Sequence, residues 1–255
     1  MPSVETILFA LALTLLAGMS TGLGGLLTLV SRRQSTRVLA FAMGLSAGVM
    51  IYISFMELLP EASEHFSEAV TAAWFFGGIG FTALIDRLVP SDENPHEMPP
   101  PGGVDPARMK RTGTMVALAI GIHNFPEGMA TFVSALDGID VALPIVAAIA
   151  VHNIPEGIAV FVPIYHSTGS RKQALRYTFL SGLAEPVGAL AGMIFLMPFW
   201  NGAVNAACLA AVAGVMVYIS FDELLPGAES NGHHHLALGG VVAGMAVMAL
   251  TLIVL

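Results

Sequence analysis

Residues 47–60 read AGVMIYISFMELLP and residues 213–226 read AGVMVYISFDELLP. A match of that length is too long to be chance composition, and both copies lie in strongly apolar surroundings. The chain has 255 residues, of which 55% are hydrophobic and 11% charged, with a mean hydropathy of +0.77. A soluble domain carries about a quarter charged residues, so this composition is that of a membrane protein. Apolar stretches near the 20 or so residues that cross a bilayer recur along the whole length, at about 4–30, 38–60, 70–89, 113–136, 141–165, 177–198, 203–226 and 236–255. Each is expected to be a helix, because in lipid every backbone N–H must be satisfied within its own segment. The two copies fall in spans two and seven, five crossings apart, and so run through the membrane in opposite directions. That is the mark of inverted-topology repeats. The expected fold is therefore an all-α integral membrane protein of eight transmembrane helices in a 3+2+3 plan with inverted repeats.

Orientation follows from the basic residues. All ten lie in or beside the odd-numbered connections: Arg32, Arg33 and Arg37; Arg87, Arg108, Lys110 and Arg111; Arg171, Lys172 and Arg176. The positive-inside rule makes those connections cytoplasmic and puts both termini outside. The first span has no basic leader region, so it reads as a true span and not a cleaved signal. A net charge of −8 with every cation used as a topology marker gives no basic face, which excludes a nucleic-acid partner. The single Cys208 excludes a disulfide framework. The one long connection, 90–112, is rich in Pro, Gly and charge and reads as a mobile cytoplasmic loop within the single transmembrane domain that the whole chain, 1–255, forms. Small residues spaced by four, Gly18 and Gly22, Gly44 and Gly48, Gly188 and Gly192, Gly240 and Gly244, suit close helix packing.

A second repeat carries the chemistry. Residues 123–128 are HNFPEG and residues 152–157 are HNIPEG, in spans four and five, one crossing apart and again antiparallel. On a helix, His123 and Glu127 share a face with Asn124 beside them, as do His152, Asn153 and Glu156. Pro126 and Pro155 lack an N–H and should kink the helices, freeing the carbonyls of Ile122 and Val151. Gly128 and Gly157 let another backbone come near. Glu185, in SGLAEPVG of span six, lies at a similar depth. A carboxylate alone at a helix centre costs roughly 2.5–3.5 kcal/mol on insertion scales, so three converging there need a strong offset. A divalent cation with two imidazoles supplies one; a mutual hydrogen-bonded lock between helices is the plainer alternative. Mixed N and O donors suit zinc, iron, manganese, cobalt or cadmium better than calcium or magnesium.

HNFPEG and HNIPEG in consecutive spans, SGLAE in the next, and eight spans with outside termini resemble the ZIP (Zrt/Irt-like) family of divalent-metal transporters, in its bacterial ZupT-like zinc-uptake branch. The likeness runs over essentially the whole chain. It implies a bacterial inner-membrane importer of zinc and related divalent metals with a midplane, binuclear site, no cofactor and no enzymatic activity. It also implies elevator-like or rocking movement of one helix group against the other, often in a homodimer. Carried over, the ligands would be His123, Asn124 and Glu127; His152, Asn153 and Glu156; Glu185; and Met50 from AGVM. Many relatives have a His-rich cytoplasmic loop, whereas this one holds only His96.

The acidic ends of the first repeat suggest a path. Span two runs outward and span seven inward, which places Glu57 at the outer mouth to collect the ion and Asp222 and Glu223 at the inner mouth to receive it. Carboxylates snorkelling to the interface are the plainer reading. His233 to His235 fall in a cytoplasmic turn and read as a metal contact or a solvated turn. Ligands bind metal deprotonated, so uptake should depend on pH. Two rivals remain open here. One is a channel-like passive metal pore; the other is an intramembrane zinc hydrolase, which the absence of HExxH disfavours.

Overall fold

The computed structural model of the chain describes residues 3–31, 36–88, 121, 124–136, 138–230 and 232–254, and the regular structure among them is helical. Helix α1 is Val4–Ser31. Helix α2, Thr36–Ile53, passes through a π turn at Ser54–Leu58 into α3, Leu59–His65. Helix α4 is Glu68–Leu88, α5 covers 124–136, and α6 is Ile139–Thr168. Helices α7, Arg171–Gly182, and α8, Ala184–Phe195, follow. Helix α9, Gly202–Ile219, enters a second π turn at Ser220–Leu224 and continues as α10, Leu225–Ser230, before α11, His234–Val254.

Seven stretches among the described residues are long and apolar enough to cross a bilayer: Val4–Val30, Thr36–His65, Glu68–Arg87, Ala142–Val162, Arg171–Phe195, Gly202–Ser230 and His234–Val254. They match seven of the eight expected spans. Of the remaining one, 113–136, helix α5 is described. The loop at 90–112, with His96, and the ligand candidate His123 lie outside the described residues. The large apolar side chains left exposed, among them Leu16, Phe76, Phe81, Val242, Leu250 and Ile253, suit contact with lipid tails. The chain is a multi-pass helical membrane protein.

Three spans differ from the sequence reading, and in each the helix is altered beside a proline. Spans two and seven, expected to stop at Pro60 and Pro226, run on to His65 and Ser230. In both, the bond pattern widens just before the proline: the Leu59 amide bonds the Ser54 carbonyl and the Leu225 amide bonds the Ser220 carbonyl, each five residues back. Such a π turn shifts the register and lets the helix absorb a residue that has no N–H. The Ser54 and Ser220 hydroxyls brace the same place, donating to the carbonyls of Met50 and Met216 at 2.7 and 2.8 Å. Span six starts at Arg171, earlier than expected, and breaks at Leu183. Pro186 cannot donate to the Gly182 carbonyl, and the next amide, Val187, reaches Leu183 only at 3.4 Å. Pro155, by contrast, does not interrupt α6, which is helical on both sides of it.

The helices pack as two groups. In one, α2 lies along α11, α9 lies along α4, and α3 and α10 close the ends against α9 and α2. In the other, α1 packs on α6, α7 and α8, and α5 packs on α8 through Gly128 and Gly188. Between the groups α2 runs against α6. Glycines set the close approaches. A Cβ on Gly48 would overlap the Val241 carbonyl, and one on Gly214, its counterpart in the repeat, would overlap the Phe75 carbonyl. Where the groups meet, Met50, Ile53, Ile145, Ile149, Leu209 and Met216 belong to one buried apolar cluster.

Candidate metal centre

Helix α6 positions the centre. Its His152 is fully buried, and Nδ1 lies 3.0 Å from the Ala148 carbonyl one turn back. A carbonyl only accepts, so Nδ1 carries the proton and Nε2 of the neutral ring is left with a lone pair. That nitrogen points at the Glu127 carboxylate of α5, 3.1 Å from Oε1 and 3.2 Å from Oε2, and is 3.9 Å from Glu156 Oε1 on its own helix. Ligand atoms of Glu127, His152 and Glu156 all fall within 4.8 Å of one another. A lone pair facing a carboxylate is two acceptors in contact, an arrangement that asks for a proton or a metal ion between them. Fixing the tautomer through the distal ring nitrogen is what metal-binding histidines do.

The second half of the centre joins α6 to α8. The Asn153 amide donates to Glu185 Oε1 and, at 3.0 Å, to the Ala17 carbonyl of α1. Both residues are fully buried, and Asn153 Oδ1 and Glu185 Oε2 have no hydrogen-bond partner among the described residues. Glu185 lies close enough to Glu127 and Glu156 for their charges to act on it. The closeness has a backbone cause. Gly128, next to Glu127, sits against the Glu185 carbonyl, and Gly157, next to Glu156, sits against the Thr21 carbonyl; a Cβ at either would overlap these oxygens. The glycines that end both HNxPEG motifs therefore do the work expected of them.

The remaining candidates are placed as follows. Asn124, fully buried on α5, donates from Nδ2 to the Ser181 carbonyl of α7 at 3.4 Å. Met50 is fully buried on α2, and the Ser46 hydroxyl lies 3.9 Å from its Sδ and 3.5 Å from the His152 carbonyl, so one side chain separates the thioether from the backbone of His152. Glu57 lies half-buried in the first π turn, near Glu61. Asp222 and Glu223 lie half-buried in the second, and Asp222 and Asp86 of α4 both lie near Tyr218. These path candidates are one to two helical turns along the chain from Met50 and Met216, outside the carboxylate cluster. His233 Nε2 lies 3.2 Å from the Thr36 hydroxyl and His234 Nδ1 3.0 Å from Glu229, both exposed pairs. Ser46 and Asp86 were not anticipated. An isolated serine four residues before a methionine carries no sequence signal, and Asp86 next to Arg87 reads as an ordinary span end.

The class these features define is a helical membrane protein whose buried His and carboxylate cluster could hold a metal ion. Comparison with known families narrows this. The family model described as ZIP Zinc transporter matches residues 87–252. The chain is 54% identical to the zinc transporter ZupT of Akkermansia muciniphila, over 98% of this chain and 99% of that one. It is 53% identical to the zinc transporter ZupT of Streptococcus mutans serotype c, over 96% of each. For the zinc transporter ZupT of Chlorobium phaeovibrioides the identity is 55%, over 96% of this chain and 97% of the relative. The chain belongs to the ZIP zinc transporter family, which makes it a transporter and not an enzyme.

Proposed function

We propose that the chain imports zinc, and chemically related divalent ions such as iron, manganese, cobalt and cadmium, into the cytoplasm across the bacterial inner membrane. The observation that carries this is His152: its Nδ1 is spent on Ala148, and its Nε2 is held against the carboxylate of Glu127 with Glu156 alongside. Two donor sets support a binuclear centre, Glu127–His152–Glu156 and Asn153–Glu185, with His123, Asn124 and Met50 completing the ligands. The relatives' names supply zinc as the first ion to test.

Transport proceeds by alternating access of one helix group against the other. The grouping of α1 and α5 to α8 apart from α2 to α4 and α9 to α11, with α2 running against α6 between them, supports such a movement. The matched π turns of the two copies, and the matching glycines Gly48 and Gly214, support the inverted repeat, with both termini outside. Glu57 collects the ion and Asp222 and Glu223 pass it on. The test is accumulation of Zn2+ in liposomes containing the purified protein. Wild type should fill them along a saturable curve, while Glu127→Ala and Glu156→Ala should not. Non-saturating flux would replace the carrier by a pore, and wild-type liposomes that stay empty would overturn the proposal.

A further inference from the structure

Buried hydroxyls on transmembrane helices usually donate to a carbonyl three or four residues back, and those of this chain do so repeatedly: Thr14 on Ala10, Thr28 on Gly24 and Ser134 on Ala130, at 2.8 to 2.9 Å. Two threonines, both fully buried, depart from the pattern. Thr21 and Thr131 have no hydrogen-bond partner among the described residues. For Thr21 the packing gives a reason, because its ordinary acceptor, the Ala17 carbonyl, already takes the hydroxyl of Ser20 and the amide of Asn153. Thr131 has no such competitor in view. The carbonyl four residues before it is that of Glu127, and the hydroxyl does not bond to it.

Position gives the hydroxyl a use. At about 100° per residue, Asn124, Glu127, Thr131 and Ser134 fall within a sector of α5 about 80° wide, and Thr131 sits about 6 Å along the axis from Glu127. Ser134 has turned its hydroxyl to the backbone. Thr131 thus holds the first uncommitted oxygen on that face beyond the carboxylate. Its neighbours along the chain, Phe132, Val133 and Ala135, belong to an apolar cluster with Ala142, Val146 and Ala189. An unbonded hydroxyl in such a place is unfavourable unless something transient fills it.

We infer that Thr131 is a further oxygen donor of the transport path, taking a partly hydrated divalent cation on its way to or from Glu127, either by direct contact or by accepting from one of the ion's waters. The inference rests on the transport reading above. It is tested in the same liposomes by the dependence of initial Zn2+ uptake on free Zn2+ for wild type, Thr131→Val and Thr131→Ser. Valine keeps the shape and removes the oxygen; serine keeps the oxygen. Loss of one hydrogen bond to a charged ligand should raise KM about tenfold in T131V with Vmax within about twofold, and T131S should stay near wild type. Without metal, T131V should melt no lower than wild type, since it removes an unbonded buried hydroxyl and no bond within the protein, and T131S should melt slightly lower for its lost methyl group. Wild-type kinetics in T131V would overturn the inference while leaving the transport reading intact. Equal damage in T131V and T131S would overturn it too, as a packing effect. Wild-type liposomes that take up no metal would remove both.

Discussion

At the scale of single residues, the centre is defined by which acceptors face one another. His152 Nε2 and the Glu127 carboxylate, both fully buried, stand 3.1 Å apart, and a divalent ion between them would satisfy both. Replacing His152 by Ala, or Glu127 by Gln, should therefore weaken Zn2+ binding to the purified protein by tenfold or more, on the order of the loss seen when metal sites lose a supporting group. Equilibrium titration with a competing chelator measures it. Because imidazole and carboxylate must be unprotonated to bind, occupancy adds protons to the solvent and affinity should fall as pH is lowered through about 7 to 5. A Zn2+ affinity unchanged across that range would show that the ion is held by groups that do not titrate there. The sequence marked Glu127, His152, Asn153, Glu156 and Glu185 because polar residues in mid-span need a reason. It did not mark Thr131 or Ser46, since a single hydroxyl on an apolar helix normally bonds its own backbone and leaves no trace of any other duty.

At the scale of elements, glycines and prolines decide how near the helices come and where they bend. A methyl group on Gly157 would meet the Thr21 carbonyl and one on Gly128 the Glu185 carbonyl, whereas Gly80 has open space around it. Gly157→Ala and Gly128→Ala should each cost about 1–3 kcal/mol of stability as overpacking does, and Gly80→Ala should be tolerated. Thermal unfolding in detergent separates the three. The close-approach role of the motif glycines was legible from their place after Pro–Glu. The π turns were not. Proline in a span is ordinarily read as its end, but a one-residue shift of register carries span two through α3 beyond Pro60 and span seven through α10 beyond Pro226. Restoring an N–H with Pro60→Ala allows the ordinary register and turns Glu57 away from its present direction. Uptake at low Zn2+ should slow by severalfold, roughly the effect of losing one path carboxylate, with binding at the midplane unchanged.

At the scale of the whole molecule, the sequence made the number of spans legible because a bilayer demands about 20 apolar residues each time. How they sort into two groups was not legible. That depends on which glycine faces meet, and the pairing of Gly44 and Gly48 with α11, or Gly78 with α9, appears only in three dimensions. If, as proposed, both termini lie outside and the Arg171 end of α7 lies inside, cysteines introduced at Ser3 and Ser170 in a Cys208→Ser background should label from opposite sides of intact cells. Labelling from the same side would break the topology. The most direct measurement of the central claim, that nitrogen and oxygen donors of α5, α6 and α8 jointly hold a divalent ion inside the bundle, is zinc X-ray absorption on the purified protein. It should show a shell of nitrogen and oxygen at about 2.0–2.1 Å with imidazole scattering that weakens in His152→Ala. A shell lacking nitrogen and oxygen at that distance, or protein that retains no zinc, would contradict it.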